Sequence, residues 1–266
     1  MLPATDFFEL SGFEHAAIFG DTVPVWTALA RLKVYMDGLP YPEFAGEPLS
    51  IGKPLADTLI LHQGKLILSE GLEIEFGDAT KGKLKVFRAG VQLVGASVLM
   101  AGAVFVGRRF NIGSGVLVES GAMLKSPTVV GEQTEVRQGA YLRGYCLVGK
   151  RCVVGHVTEV KSTIFLDDAK AGHFAYLGDS ILGNQVNLGA GTKMANLRFM
   201  SGEVPVRTPE GMVASGLRKF GAILGDQVQT GCNSVTNPGA LLGRNSMVFP
   251  NTTVASGYHA NGSIIR

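Results

Sequence analysis

Eight polar residues cluster around two breaks in an otherwise regular apolar pattern: Arg143, Glu159, Lys161, His173, Tyr176, Asn187, Asn196 and Lys219. Arg143 and Lys161 are eighteen residues apart. In a coil of ~18 residues that spacing stacks them on one face, a rung apart. Two stacked cations facing outward make a phosphate site, arginine supplying a planar fork and lysine a point charge. Tyr176 adds a hydroxyl donor. The bland alternative is that the two cations simply solvate the face. His173 has the chemistry for proton transfer, because an imidazole of ordinary pKa near 6.5 is neutral and able to accept at pH 7.

Such residues act together only if the backbone holds them in register, and the sequence carries that register as a period. Every sixth residue from Val94 to Val160 is apolar: Val94, Met100, Val106, Ile112, Val118, Leu124, Val130, Val136, Leu142, Val148, Val154 and Val160. With 46% apolar residues, twelve consecutive hits have a chance probability on the order of 10⁻⁴. A period of six is that of a parallel β-helix of hexapeptides, each a short strand and a corner. Glycine follows the apolar residue at 95, 107, 113, 131, 149 and 155, where the corner needs a missing side chain or an unusual backbone angle. The fourth residue after it is small or β-branched (Val116, Ala122, Thr134, Cys146, Cys152, Thr158), as a narrow triangular interior requires. The spacing shortens to five at Val160–Phe165 and again at Leu177–Leu182, then resumes from Leu224. Residues 197–219, with Pro205 and a Thr208-Pro209-Glu210-Gly211 turn, read as a hairpin or loop thrown out from the prism. Breaks in a repetitive scaffold are where a site is expected.

The organisation that follows is a segment 1–58 of helix and extended connector, then a β-helix over 59–266 carrying the 197–219 insertion. The helix is expected at 21–38, capped by Asp21 or Thr22, with Pro24 in its first turn and Gly38 and Pro40 at its end. Val25, Trp26, Leu29, Leu32 and Met36 fall on one side, and Trp26, the only tryptophan, reads as a packing anchor. Pro40, Pro42, Pro48 and Pro54 mark the connector.

A chain of 266 residues supports one sizeable core. A net charge of +2 argues against nucleic acid and suits a small anionic substrate. No apolar run reaches the ~18 residues of a membrane span, and the first residues lack the pattern of a signal peptide, so a cytoplasmic protein is expected. Of the three cysteines, Cys146 and Cys152 occupy equivalent places in successive repeats and are read as small apolar fillers. His156 and His173 have no third histidine at a spacing suited to zinc, and no metal is expected at the site.

Four stretches within 143–196 are more specific than the repeat: Glu159-Val160-Lys161, Gly172-His173 with Tyr176-Leu177-Gly178-Asp179, Val186-Asn187-Leu188-Gly189-Ala190-Gly191-Thr192, and Ala195-Asn196-Leu197-Arg198-Phe199. With Arg218-Lys219-Phe220-Gly221-Ala222-Ile223-Leu224-Gly225-Asp226, they resemble the acetyltransferase half of the bacterial bifunctional N-acetylglucosamine-1-phosphate uridylyltransferase/glucosamine-1-phosphate acetyltransferases. They are also similar to the archaeal bifunctional sugar-1-phosphate nucleotidylyltransferase/acetyltransferases. The similarity covers roughly residues 90–258.

The resemblance implies an all-β fold, a left-handed parallel β-helix with a short N-terminal helical segment, assembled as a homotrimer with the cleft between prisms. It implies an acetyl-CoA-dependent N-acetyltransferase on a hexosamine 1-phosphate. His173 matches the family's general base. Arg143, Lys161, Tyr176 and Lys219 match the groups that hold the sugar phosphate. Asn187 matches a sugar contact, Asn196 a residue near the histidine that helps to position it, and Glu159 a nearby carboxylate. Ala190 lies on the acetyl-CoA side.

The sequence departs from the family twice. Cys232 stands where bacterial members carry a serine near the oxyanion, leaving its backbone N–H as the donor. Residues 1–90 are too short for a nucleotidyltransferase domain and lack its glycine-rich loop. Two other functions stay open from sequence: a non-catalytic sugar-nucleotide-binding module that partners a separate nucleotidylyltransferase, and an O-acyltransferase on a nucleotide sugar.

Overall fold

A computed structural model describes residues 1–20, 22–43 and 51–266. From Ser97 onward the chain winds through about nine coils of a parallel β-helix, laying one strand per coil on each of three sheets. The first face includes Val153–His156, Lys170–His173 and Asn187–Leu188; the second, Glu159–Lys161 and Tyr176–Gly178; the third, Cys146–Val148 and Thr163–Phe165.

Each face sends one ladder of apolar side chains into the prism. The first-face ladder runs Leu99, Val118, Val136, Val154, Ala171, Leu188. The second runs Phe105, Leu124, Leu142, Val160, Leu177, Met194, and the third Ile112, Val130, Val148, Phe165, Leu182, Leu224. Interior threonines close their polar groups between coils: Thr134 donates to the Gly149 carbonyl at 2.9 Å and accepts from the Cys152 N–H at 2.9 Å. Cys146 and Cys152 are fully buried fillers, and burial pushes the Cys146 thiol up to about 12, so neither is a reactive thiolate near neutral pH.

The start of the period is corrected by one residue. Val94 is 76% exposed, and Met100 and Val106 are only half-buried, whereas Leu99 and Phe105 point inward. Phe105 pairs with Leu124, nineteen residues on, so the first coil carries one extra residue and the frame locks at Ile112. At the other breaks the coils are one residue short: Cys146 pairs with Thr163, Glu159 with Tyr176, and Lys170 with Asn187. Between Met194 and Ala222 the chain contains an antiparallel hairpin of Pro205–Thr208 with Gly211–Ala214.

The N-terminal third differs more. The helix, α1, is Thr27–Asp37, starting later than expected. Thr22 lies five residues before it, Asp21 is outside the described residues, and Trp26 takes the N-cap position without a side-chain cap. Gly38 ends it, donating its N–H to Val34 and Tyr35 carbonyls at 3.2 Å. Of the connector, Pro48 is outside the described residues, while Ile51 and Pro54 bridge to Phe105 and Val104. Residues 59–92 are β but antiparallel: Leu59–His62 pairs with Lys65–Leu68 and with Ser97–Leu99, and Leu72–Glu75 pairs with Lys85–Arg88. The first of these hairpins extends the first-face sheet at the end of the prism, and the second lies over that face, packing Ala79, Leu84 and Val86 against Val98 and Leu117 and donating the Ala79 N–H to Glu135, so parallel coiling begins at 97.

The segment before the connector lies over the third face. Val129, Leu147, Ile164, Ile181, Ile223 and Leu241 point outward there and are buried beneath Phe7, Phe8, Phe19, Trp26, Leu32 and Met36. Each such side chain contributes on the order of 1.5–3 kcal/mol by leaving water. Trp26 is a packing anchor, its ring 6.3 Å from that of Phe220. Among the described residues, no helix is long and apolar enough to cross a membrane.

Candidate active site

The corner between the second and third faces collects cations. Arg143 directly follows the strand Tyr141–Leu142 and donates its N–H to the Val160 carbonyl, which sets it beside Lys161 on the next rung. Arg143 Nη1 donates to Glu159 Oε1 at 2.7 Å, and this bond holds the guanidinium above its ordinary pKa. Lys161 Nζ donates to both oxygens of Asp179, at 3.0 and 3.2 Å.

One rung higher stands Gly178, in register with Lys161. A Cβ there would lie 2.5 Å from Asn196 Nδ2 and 2.8 Å from Tyr176 Oη. The missing side chain therefore lets the phenol and the amide close over Lys161. Tyr176 Oη donates to Asn196 Oδ1 at 3.4 Å, and Asn196 Nδ2 donates to Asp179 Oδ2. Burial, followed by the charges of Glu159 and Asp179, raises the Tyr176 pKa, so the phenol remains a neutral donor. Arg143, Lys161, Asp179 and Lys219 line a cleft of about 430 Å³ floored by Gly144 and Ser162; Arg218, Lys33 and Tyr145 also line it.

His173 sits at the opposite edge of the second face, in the corner shared with the first. It ends the strand Lys170–His173 and is exposed. The second-face strand Tyr176–Gly178 begins three residues later, so one short strand separates the imidazole from the cation corner. His156 pairs with His173 on the rung below, with ring centroids 5.7 Å apart and planes at 23°. Above it the corner carries almost no side chain. Ala171, Leu188 and Thr230 are paired in successive coils, which sets Gly172, Gly189 and Gly231 in one column and His173, Ala190 and Cys232 in the next. The Gly191 N–H donates to the His173 carbonyl and the Asn233 N–H to that of Ala190. Cys232 is exposed.

Within one chain the structure thus brings Arg143, Glu159, Lys161, Tyr176, Asn196 and Lys219 together and stacks His173, Ala190 and Cys232 along the neighbouring corner. Asn196 makes its side-chain hydrogen bonds to Tyr176 and Asp179, and Glu159 is engaged by Arg143. Asn187 is apart from both groups, exposed on the first face in a shallow cleft with Lys170 and Gln185. Sequence reasoning missed Asp179 as a site residue, although it follows Lys161 at the same eighteen-residue spacing as Lys161 follows Arg143. It also missed His156, whose ring stacks on the candidate base. Lys33 had no sequence signal, because only the docking of α1 brings it to the cleft.

Comparison with known proteins places the similarity on this part of the prism. The model of the GMPPB C-terminal domain matches residues 124–217. The chain is 40% identical over 101 residues to a bifunctional sugar-1-phosphate nucleotidylyltransferase/acetyltransferase of Sulfurisphaera tokodaii, covering 38% of this chain and 25% of that protein. It is 42% identical over 101 residues to the bifunctional protein GlmU of Methanococcus aeolicus, covering 38% and 24%. An uncharacterized acetyltransferase of Escherichia coli K12, YaiX, is 33% identical over 101 residues, covering 38% and 44%. The chain spans about a quarter of the length of the two archaeal relatives. Two of these relatives, those of Sulfurisphaera tokodaii and Escherichia coli, are named as acetyltransferases.

Proposed function

We propose that this chain is an acyltransferase, an acetyl-CoA-dependent N-acetyltransferase acting on a hexosamine 1-phosphate, with His173 as general base. The observation that carries this reading is the placement of an exposed imidazole one strand's width from a cleft lined by cations, on the same coils. The phosphate of the acceptor is held at the Arg143, Lys161 and Lys219 corner, with the Tyr176 hydroxyl as a further donor. Glu159 and Asp179 hold the first two cations in place and leave them surplus positive charge only in part, which suits a ligand that must also be released. The sugar then lies across the second face and brings its amine to His173.

Gly172, Gly189 and Ala190 leave a bare backbone strip along the histidine corner, on which a long thioester substrate fits without side-chain obstruction. Coenzyme A supplies the activated acetyl group as a thioester. His173 takes one proton from the acceptor ammonium and releases it to water; the freed amine then forms the new C–N bond as the C–S bond breaks, and a second proton passes from that nitrogen through His173 to the leaving thiolate, so that amide, free thiol and one proton result. The backbone N–H groups of Ala190 and Cys232, one and two rungs above the imidazole, are the donors for the oxyanion. This role needs only the amide of Cys232, so the thiol at that position does not disable the site.

The assembly proposed is a homotrimer in which a neighbouring prism covers the histidine corner and completes the acetyl-CoA site. A partner prism also accounts for Asn187, which reaches no acceptor cleft of its own chain. The test is thiol release from acetyl-CoA with glucosamine 1-phosphate and related amino sugar phosphates. Turnover is expected, and His173→Ala should lower it by roughly 10²–10⁴. Absence of turnover with every amino sugar phosphate, or an unaffected His173→Ala variant, overturns the reading. A hydroxyl acceptor replacing the amine with equal efficiency would mark O-acyl transfer instead.

A further inference from the structure

The cation cleft is not made by the β-helix alone. One wall belongs to α1, whose Lys33 lies 110 residues upstream of Arg143 and outside the 124–217 region matched by the family model. We propose that Lys33, carried by this helix, is a further binding residue for the acceptor's phosphate, gripping it from the third-face side while Arg143 and Lys161 hold it from the second. This inference rests on the reading of the cleft as a phosphate site.

The placement of Lys33 is built rather than incidental. Its Nζ lies 5.5 Å from the centroid of the Tyr145 ring, within cation–π range. Tyr145 is fixed in turn, since its hydroxyl donates to Asp37 Oδ1 at 3.3 Å, four residues along the same helix from Lys33. The same carboxylate oxygen accepts from Arg109 Nη1 on the prism. Helix, tyrosine and prism therefore lock together at the mouth of the cleft.

The charge pattern points the same way. Arg143 and Lys161 have carboxylate partners, Glu159 and Asp179. Among the described residues, no carboxylate oxygen lies within 4.0 Å of the charged nitrogens of Lys33, Arg218 or Lys219, which line the same cleft. Three cations without acidic partners around a recess floored by Gly144 and Ser162 leave room and charge for an anion with several oxygens. A phosphate monoester fits: its oxygens can meet donors from both sides of the corner at once, as neither wall alone allows.

The experiment compares wild type with Lys33→Ala and Lys33→Arg. Lys33 is exposed, so neither change disturbs the fold. In steady-state kinetics, Lys33→Ala is expected to raise KM for the amino sugar phosphate roughly five- to tenfold, leaving kcat and the KM for acetyl-CoA near wild type. Removing one charge-assisted hydrogen bond at a partly exposed site has an effect of that size. Lys33→Arg should restore most of the affinity. Calorimetry with inorganic phosphate gives a readout that does not depend on acetyl transfer, with weaker binding to Lys33→Ala expected. If no amino sugar is acetylated but phosphate binding still depends on Lys33, the transferase reading fails and the anion site stands. If Lys33→Ala binds phosphate and acceptor as wild type does, the inference is overturned.

Discussion

Gly172 is set apart from the other glycines of the histidine corner. A Cβ at Gly189 would collide with the Gly231 backbone, and one at Gly155 with that of Gly172, so close packing of coils explains both. At Gly172 the backbone is not left-handed and a Cβ would meet nothing within 4 Å. Neither conformation nor packing inside the chain calls for a glycine beside His173, and the open space there has room for a ligand or a neighbouring prism. Gly172→Ala should fold normally, with stability unchanged or raised by about 0.4–1 kcal/mol, since the substitution narrows the unfolded ensemble at no native cost. Acetyl transfer should fall at least ~10-fold if the open space admits the thioester. Thermal denaturation and turnover measured on the same preparation separate the two effects. A Gly172→Ala enzyme of full activity would show that the space is not used. Gly189→Ala is the contrast, losing stability because two backbones must move apart. Sequence reaches furthest at this corner, where His173 and Ala190 sit in short distinctive stretches. Asp179 shares such a stretch, but its role depends on which side of a corner its carboxylate turns to, and spacing does not specify that.

At the scale of elements, the N-terminal segment contributes most that the period could not show. Third-face strands such as Cys146–Val148 and Ala240–Leu242 are apolar at three successive positions, the pattern of a strand buried on both sides. The period of six registers only the inward residue of each and is silent about what covers the outward one. The first coil escapes the period for a related reason. Val94, Met100 and Val106 continue the apolar spacing by type, whereas the covering hairpins and a nineteen-residue coil put their neighbours Leu99 and Phe105 inside. The docked segment carries its own pH dependence. His15 is buried, with Nδ1 3.0 Å from the Tyr35 hydroxyl, and burial holds its pKa below the ordinary 6.5 in spite of nearby Glu14 and Asp167. The neutral ring is therefore the one the folded state favours. Its contribution is fully present above pH 6.5 and is lost as the pH falls through the lowered folded value. Trp26, the only tryptophan, lies in the same cluster and reports on docking. Denaturant midpoints followed by its emission should drop between about pH 7 and pH 5, and His15→Gln, which keeps a hydrogen-bonding group for Tyr35 but cannot charge, should flatten that drop. An unchanged acid profile in His15→Gln would assign the sensitivity elsewhere.

For the whole molecule, coverage restricts how copies can associate. The third face is sealed by its own N-terminal segment, one hairpin extends the sheet where coiling begins, and a second covers the first face of the early coils. What remains open includes the second face, the later coils of the first face and the corner between them, the corner that holds His173. Val157 and Phe174 project there, 56% and 59% exposed. Both adopt left-handed backbone angles, φ 51° and 52°, which a β-branched valine tolerates poorly. Two apolar side chains held in unfavourable conformations at an exposed corner cost the isolated chain both backbone strain and contact with water. A neighbouring prism laid against this corner would remove the second cost and enclose the imidazole at the same time. On the proposed homotrimer, light scattering should give a mass near three times 28.1 kDa, and Phe174→Glu should shift it toward the single chain, because a carboxylate buried at an apolar contact is strongly disfavoured. Far-ultraviolet circular dichroism should stay that of the folded prism, since Phe174 lies outside the interior ladders. Acetyl transfer should disappear together with the larger species and return in neither dilute nor concentrated variant. A wild-type protein that sediments as a single chain and still turns over would mean that one prism builds the whole site, with Val157 and Phe174 meeting the substrate itself.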